Sequence, residues 1–281
     1  MNLMTKYAVV AIALVGAFTN FIACGAQLYK TSLVGDDTPP PTTVSEANSG
    51  DPSSYEFGLH APSGWVALPV IYKADRTLSA IQLTALQAAM HTWEVAVGKP
   101  LFAYKGVHAS ITGDTFRDLF SSLSDMVNGQ YLDNNWSKTG KSKQVLATTI
   151  WTNPNNAYKS IDNADIHYNS DLYLITDAIH ESAVDDREVV DMQSLATHEL
   201  GHLLGLSHIA DSYDSSSIMN PSLIIGEGLA TRSISVGDVK RVQKIYGCTG
   251  TACDAELTAR TIMQSGQHYG LSDKSTTLGA H

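Results

Sequence analysis

Hydrophobic and polar positions repeat at two periods along this chain, and the places where the period changes mark its elements. Between Ser79 and Gly98, the residues Ile81, Leu86, Met90, Trp93 and Val97 recur close to the helical repeat, which predicts a helix. Ser79 can cap its start and Gly98 can end it. The stretches 64–75, 100–107, 144–152 and 160–169 are short and rich in Val, Ile, Leu, Tyr and Thr, and predict strands. Residues 171–176, DLYLIT, extend the last of these or form a short segment of their own. Helical spacing returns over 187–206, with Val190, Leu195, Leu200 and Leu203 among the apolar positions. It returns again over 233–247, where Ser235 is an N-cap, Asp238 stands three residues on, and Gly247 is a stop. From about 112 to 140 the pattern weakens, and a short helix with loops is expected there. There is no internal repeat. Strand, helix, strands and then two helices is an α+β order.

The two ends depart from this patterning. The N-terminus carries one positive charge, Lys6, then an apolar run to about Ala17, then small residues up to Cys24. This is the layout of an export signal over 1–23, too short and too interrupted by Thr19 and Asn20 to span a membrane. Phe21-Ile22-Ala23-Cys24 resembles the lipobox of bacterial lipoproteins, with Phe21 where Leu, Val or Ile is usual. That resemblance implies lipidation of Cys24, which anchors a chain without making it cross the bilayer. The alternative is an ordinary signal cut near Ala23 or Ala26. Residues 24–54 include three consecutive prolines among Ser, Thr, Gly and Asp, and are expected to be a semi-extended tether. The folded domain is expected over 55–250, and 251–281, weakly patterned and rich in Gly, Ser and Thr, is expected to be a loosely held tail.

Composition narrows the function. The chain has 281 residues, 43% hydrophobic and 16% charged, with a net charge of -10. That suits one domain with extensions and argues against a nucleic-acid partner, which calls for a basic face. With Cys24 taken by lipid, Cys248 and Cys253 remain. In an exported protein two close cysteines are expected to form a disulfide. A pair of metal ligands is the rival reading, but no second Cys or Cys-His pair lies nearby.

The chemistry concentrates in THELGHLLGLSH, residues 197–208. His198 and His202 stand four apart in a helical pattern, so their rings fall on one face, one turn apart, and can share a metal. Zinc suits such nitrogen ligands. Glu199, next to His198, falls beside that metal and suits a general base for a metal-activated water. A straight helix would carry His208 away. Gly205 can take a positive φ and turn the chain back, making His208 a third ligand and leaving the fourth position open. A helix with surface histidines is the bland alternative, and it does not account for His, Glu, His, Gly and His at these offsets.

HELGHLLGLSH resembles the zinc-binding consensus of the metzincins, and within them that of the matrixins, the matrix-metalloproteinase-like family. SIMNP, with Met219 eleven residues after His208, resembles the Met-turn packed beneath the metal. Pro221 stands where other metzincins carry a tyrosine ligand. DVKRVQKIYG resembles the closing matrixin helix, the segment with Trp93 the first helix, VLATTI the edge strand that pairs with substrate, and ADIHYN the strand after it. The resemblance covers about 60 to 247. It implies a zincin-like α+β domain: a twisted mixed sheet, a backing helix, an active-site helix and a C-terminal helix. It also implies zinc on His198, His202 and His208, with Met219 in support. Calcium is a further ion that the family admits.

Some family features are not matched. The edge strand, Leu146-Ala147-Thr148-Thr149, lacks the histidines of a second, structural zinc; His167 and His180 do not rebuild it and are read as structural or surface residues, as is His91. No cysteine-switch propeptide is recognised, since Cys24 falls in the lipobox. Gly237 replaces an Asp that animal matrixins use to hold a mature N-terminus. Leu223, Ile224 and Ile225 suggest an apolar pocket for the residue after the cut bond.

The expected function is a monomeric zinc endopeptidase acting on extracellular or cell-envelope proteins. It is expected to be exported and held by a lipid anchor at an outer membrane or cell surface, or else secreted. The other readings are a surface lipoprotein with a structural zinc, and a metallo-amidase acting on cell-wall peptides.

Overall fold

The computed structural model describes residues 54, 57–108, 127–138, 142–153 and 159–265, and the backbone of 23–24 and 27–29. The first half of the chain supplies β1 (Ala23–Cys24), β2 (Gln27–Tyr29), β3 (Gly64–Trp65), β4 (Val70–Asp75), α1 (Ala80–Val97), β5 (Phe102–His108) and β6 (Asn128–Asp133). The second half supplies β7 (Ala147–Thr152), β8 (Ser160–Ile161), β9 (Asn163–Asn169), β10 (Tyr173–Thr176), β11 (Glu188–Asp191), α2 (Met192–Leu203), β12 (Ser222–Ile224), α3 (Val236–Tyr246) and α4 (Ala255–Ser265). The architecture is α+β.

Six strands form the main sheet, in the order β1-β7-β9-β6-β4-β5. β4, β5, β6 and β9 run parallel, while β7 runs antiparallel to β9. All seven residues of β9 are buried. Ala164, Ile166 and Tyr168 join the core on one face, and the other face buries polar side chains. There the Asp165 carboxylate accepts from Gly129 N at 2.7 Å and Asn169 donates to Val145 O at 2.8 Å. His167 lies on this face, fully buried and 3.6 Å from Asp133, which makes it structural.

α1 follows its sequence signals: Ser79 and Gln82 close a capping box, and Gly98, at φ 71°, ends the helix. Its buried side, Leu86, Met90, Trp93 and Val97, packs on α2, and Trp93 donates its indole N–H to Thr197 O at 2.9 Å. Trp65 and Tyr246 donate to the carbonyls of Leu203 and Leu204, which satisfies the C-terminal end of α2. α2 is thereby gripped from two sides before any metal is considered.

Four segments differ from the sequence expectation. The expected strand over 64–75 is two strands, interrupted around Pro69, which has no N–H for a ladder. Glu188–Asp191 is extended and pairs in parallel with β10; the helix expected from 187 starts at Met192, where the Asp191 carboxylate accepts from Ser194 N at 2.9 Å. Two β-branched valines and that cap outweigh the helical spacing. β6 lies inside 112–140, where only a short helix and loops were expected; residues 109–126 and 139–141 are outside the described residues. The apolar signal of β6 is weak because its buried positions include Gly129, Gln130 and Asp133, and the two polar side chains accept hydrogen bonds inside the fold.

The fourth difference corrects the tail over 251–281. Gly250–Cys253 forms a 3-10 turn and α4 follows, with Ala255, Ala259 and Ile262 buried toward α1 and α3. These three at helical spacing were hidden in a Gly-, Ser- and Thr-rich context. Folded structure therefore runs to 265, and 266–281 lie outside the described residues. Cys248 and Cys253 are joined in a disulfide. Apart from Ser54, the signal and tether fall outside the described residues except at two places. β1 pairs antiparallel with β7, and β2 pairs parallel with β12.

Candidate metal centre

His198 and His202 project from one side of α2, each with its Nδ1 on a backbone carbonyl, Ile218 O at 2.7 Å and Leu206 O at 2.9 Å. A ring nitrogen facing a carbonyl must carry the proton, so each Nε2 is left with a lone pair. The helix stops at Leu203. Gly205 takes φ 101°, and a Cβ there would sit 2.6 Å from Ala61 O, so both conformation and space require glycine. Its carbonyl accepts from His60 N at 2.9 Å and Ala61 N at 3.2 Å, which pins the turn. The chain then returns His208 to the first two rings.

The three Nε2 atoms converge at 3.1, 3.2 and 3.3 Å from one another. Three lone pairs this close repel unless a cation lies between them. Ligands about 2.0–2.1 Å from a tetrahedral zinc stand about 3.3–3.4 Å apart, so the triangle fits that ion. Among the described residues this is the one group of three or more His, Cys, Asp or Glu side chains able to hold a metal. All three rings are buried. Burial pushes His198 down to about 4 and His208 down to about 3, and it holds His202 well below its usual value, helped by its two neighbours. The ligands are therefore neutral and ready for a metal at ordinary pH.

Glu199 is fully buried beside this triangle. The Thr149 hydroxyl, on β7, reaches its Oε2 at 2.6 Å and its backbone carbonyl at 3.1 Å. One carboxylate oxygen is thus held by the strand that lies opposite the helix. Tyr168, beneath them, is raised well above its usual pKa by burial and by the negative charge of Glu199.

Met219 is completely buried under α2, in the space left by Gly201, where a Cβ would collide with the Met219 sulfur. The turn carrying Met219 hangs on Asp238, whose carboxylate accepts from Ser217 Oγ at 2.6 Å and Ile218 N at 2.9 Å, with Arg241 at 2.6 Å. Since Ile218 O orients His198, Asp238 positions a metal ligand through the turn. Downstream, Leu223 and Ile225 are buried and Ile224 is exposed. Leu223 helps to line a cavity of about 760 Å³ with Ile218, Thr231, Ile234 and, from α4, Ala259 and Met263.

The structure therefore gathers His198, Glu199, His202, Gly205, His208 and Met219 at one place. His91 and His180 are exposed on the surface, and the Cys248–Cys253 pair belongs to the α3–α4 junction. Sequence reasoning did not find Thr149, Gly201 or the α4 wall of the cavity. Thr149 carries no motif, and Gly201 inside a helix looks like an ordinary propensity defect.

Residues 129–247 match the family model described as Matrixin. The chain is 36% identical over 87 residues to Metalloendoproteinase 1-MMP of Arabidopsis thaliana, covering 31% of this chain and 22% of that protein. It is 36% identical over 88 residues to Matrix metalloproteinase-21 of Cynops pyrrhogaster, covering 31% of this chain and 12% of that protein. It is also 34% identical over 84 residues to Metalloendoproteinase 1 of Glycine max, 29% of this chain and 25% of that protein. The chain thus spans a quarter or less of the length of these relatives.

Proposed function

We propose that the chain is a matrixin-like metzincin, a zinc-dependent endopeptidase cutting extracellular or cell-envelope proteins, in keeping with the match of residues 129–247 to the Matrixin model. The observation that carries this reading is the convergence of three Nε2 atoms beside a buried carboxylate already held by Thr149. Zinc bound there polarises the scissile carbonyl and makes a water molecule more acidic.

The rest is the work of the chain. Glu199 takes the proton from the attacking water and later hands it to the leaving amine. Its orientation is set in advance by Thr149, which lowers the cost of reaching the reactive geometry. β7 offers ladder groups to an extended peptide, and buried Leu223 is proposed to wall an apolar pocket for the residue following the cut bond. Met219 and Asp238 hold the floor. The chain is proposed to act as a monomer.

Export and a lipid on Cys24 are part of the proposal and are supported by the sequence of 1–26. Among the described residues, no helix is long and apolar enough to cross a membrane. Detergent-phase partitioning that disappears in Cys24→Ala tests the anchor.

The central test compares wild type with Glu199→Ala on a peptide library, with zinc content measured beside it. Loss of a catalytic base costs about 10²–10⁴-fold in rate, and zinc stays bound because all three ligands remain. A zinc-loaded wild type that cuts no peptide would overturn the reading in favour of a structural metal.

A further inference from the structure

Two of the three candidate ligands depend on the turn after α2, and residues 58–61 clamp that turn. Ser207 donates its N–H to Gly58 O at 2.9 Å, His60 N donates to Gly205 O at 2.9 Å, and between these bonds Leu59 and Leu206 face each other in an antiparallel bridge. The backbone of Leu206 therefore points its own N–H and C=O away from the clamp, toward α2. Its N–H reaches Gly201 O at 2.9 Å, and its carbonyl accepts from His202 Nδ1 at 2.9 Å.

The same segment brings a side chain to the end of the helix. His60 donates its Nε2–H to His202 O at 2.8 Å, since a carbonyl can only accept. That carbonyl also accepts from Gly205 N at 2.9 Å, so it is the pivot at which the chain leaves α2 for His208. The His60 ring is stacked on Trp151 of β7, with centroids 4.1 Å apart and planes at 26°. Trp151 is buried, two residues beyond Thr149 and on the same face of the strand. That face thus reaches α2 twice. Thr149 holds Glu199, and Trp151 holds His202 through the His60 ring.

Stability alone does not explain a histidine here. Its Nδ1 is buried with no hydrogen-bond partner among the described residues, and a buried polar atom left so costs free energy. An apolar ring would stack on Trp151 without that cost. What the imidazole adds is the N–H to the pivot.

We propose that His60 is a positioning residue: it ties β7, the strand offered to substrate, to the pivot between His202 and His208, and so sets both ligands relative to Glu199. This rests on the peptidase reading above. His60 acts through the His202 carbonyl and not on the reacting atoms.

The test separates the two things the ring does. His60→Phe keeps a ring on Trp151 and removes the donor. His60→Gln keeps an N–H for His202 O and removes the stack. In the metal-free protein, hydrogen exchange over 203–208 is expected to quicken in His60→Phe and to keep the wild-type rate in His60→Gln, and over 147–152 the order reverses. His60→Leu, which loses both, quickens both segments and serves in place of His60→Phe if the larger ring does not fit. Zinc affinity, measured by competition with a chelator, is expected to fall about tenfold in His60→Phe, the effect of one hydrogen bond, and to return in His60→Gln. With cobalt in place of zinc, the visible absorption is expected to shift in His60→Phe and not in His60→Gln. On one peptide, kcat falls about tenfold in His60→Phe with KM little changed.

A folded His60→Phe chain with wild-type zinc affinity and cobalt absorption overturns the proposal, and so does a His60→Gln chain that repeats every loss of His60→Phe. In either case the ring only packs. A zinc-loaded wild type that cuts no peptide overturns the peptidase reading instead, and the exchange, affinity and cobalt readouts still decide whether His60 positions the ligands.

Discussion

At the scale of single residues the site depends on groups with nowhere else to go. Thr149→Val keeps the volume and removes the hydroxyl that holds Glu199. Losing one hydrogen bond to a charged group is expected to lower kcat about tenfold, with KM and zinc content little changed, as steady-state kinetics on one peptide would show. The histidines predict a pH response of the metal-free protein. Burial holds His198 at about 4 and His208 at about 3, below the ordinary value of 6.5. As pH falls below 6.5 the unfolded chain takes up protons that the folded chain refuses, so stability drops until the folded values are reached. Above 6.5 these groups contribute no slope. Melting temperatures in chelator should therefore fall between pH 7 and pH 4, beyond the fall of a His208→Ala chain treated alike. The three histidines, Glu199 and Met219 were legible as one group because their spacing along the chain is what brings them together. Thr149 was not, because its partner lies fifty positions away and only the sheet brings them together.

At the scale of elements, the turn after α2 decides whether two ligands become three. Gly205→Ala places a Cβ at φ 101° and 2.6 Å from Ala61 O. A cost of about 1–3 kcal/mol is expected, read as a lower denaturation midpoint together with weaker zinc binding. The helices with caps, α1 and α3, were readable nearly to the residue because their end signals are local. The start of α2 was not, because apolar residues in 187–191 satisfy a helical period and a parallel strand equally well. β10 settles the choice by offering a ladder. β6 was missed for another reason. Its buried positions include Gly129, Gln130 and Asp133, so no apolar alternation marks it along the chain.

At the scale of the whole molecule, the metal joins parts far apart in sequence. His198 leans on the Met219 turn, that turn on Asp238 of α3, and α2 on Trp93 of α1. A metal that binds only the folded chain stabilises all of it, by about 2.7 kcal/mol at a hundred times its dissociation constant. Zinc titration followed by thermal unfolding should show one cooperative transition moving upward, and chelator should reverse it. Two transitions would show that the metal holds only its own loop.

By itself, the sequence determined which side chains come together as candidate ligands, that Gly205 turns the chain back, and where α1 and α3 start and stop. These are short-range matters, set by spacing along the backbone and by local capping. Only the tertiary structure decided what surrounds that chemistry. It set Thr149 against Glu199, fitted Gly201 over Met219, turned a supposed tail into α4 beside the cavity, and paired residues 23–24 with β7 and 27–29 with β12. Each of these is a contact between segments remote in the chain. Such contacts are chosen by burial and by the pairing of backbone groups, neither of which a local pattern encodes.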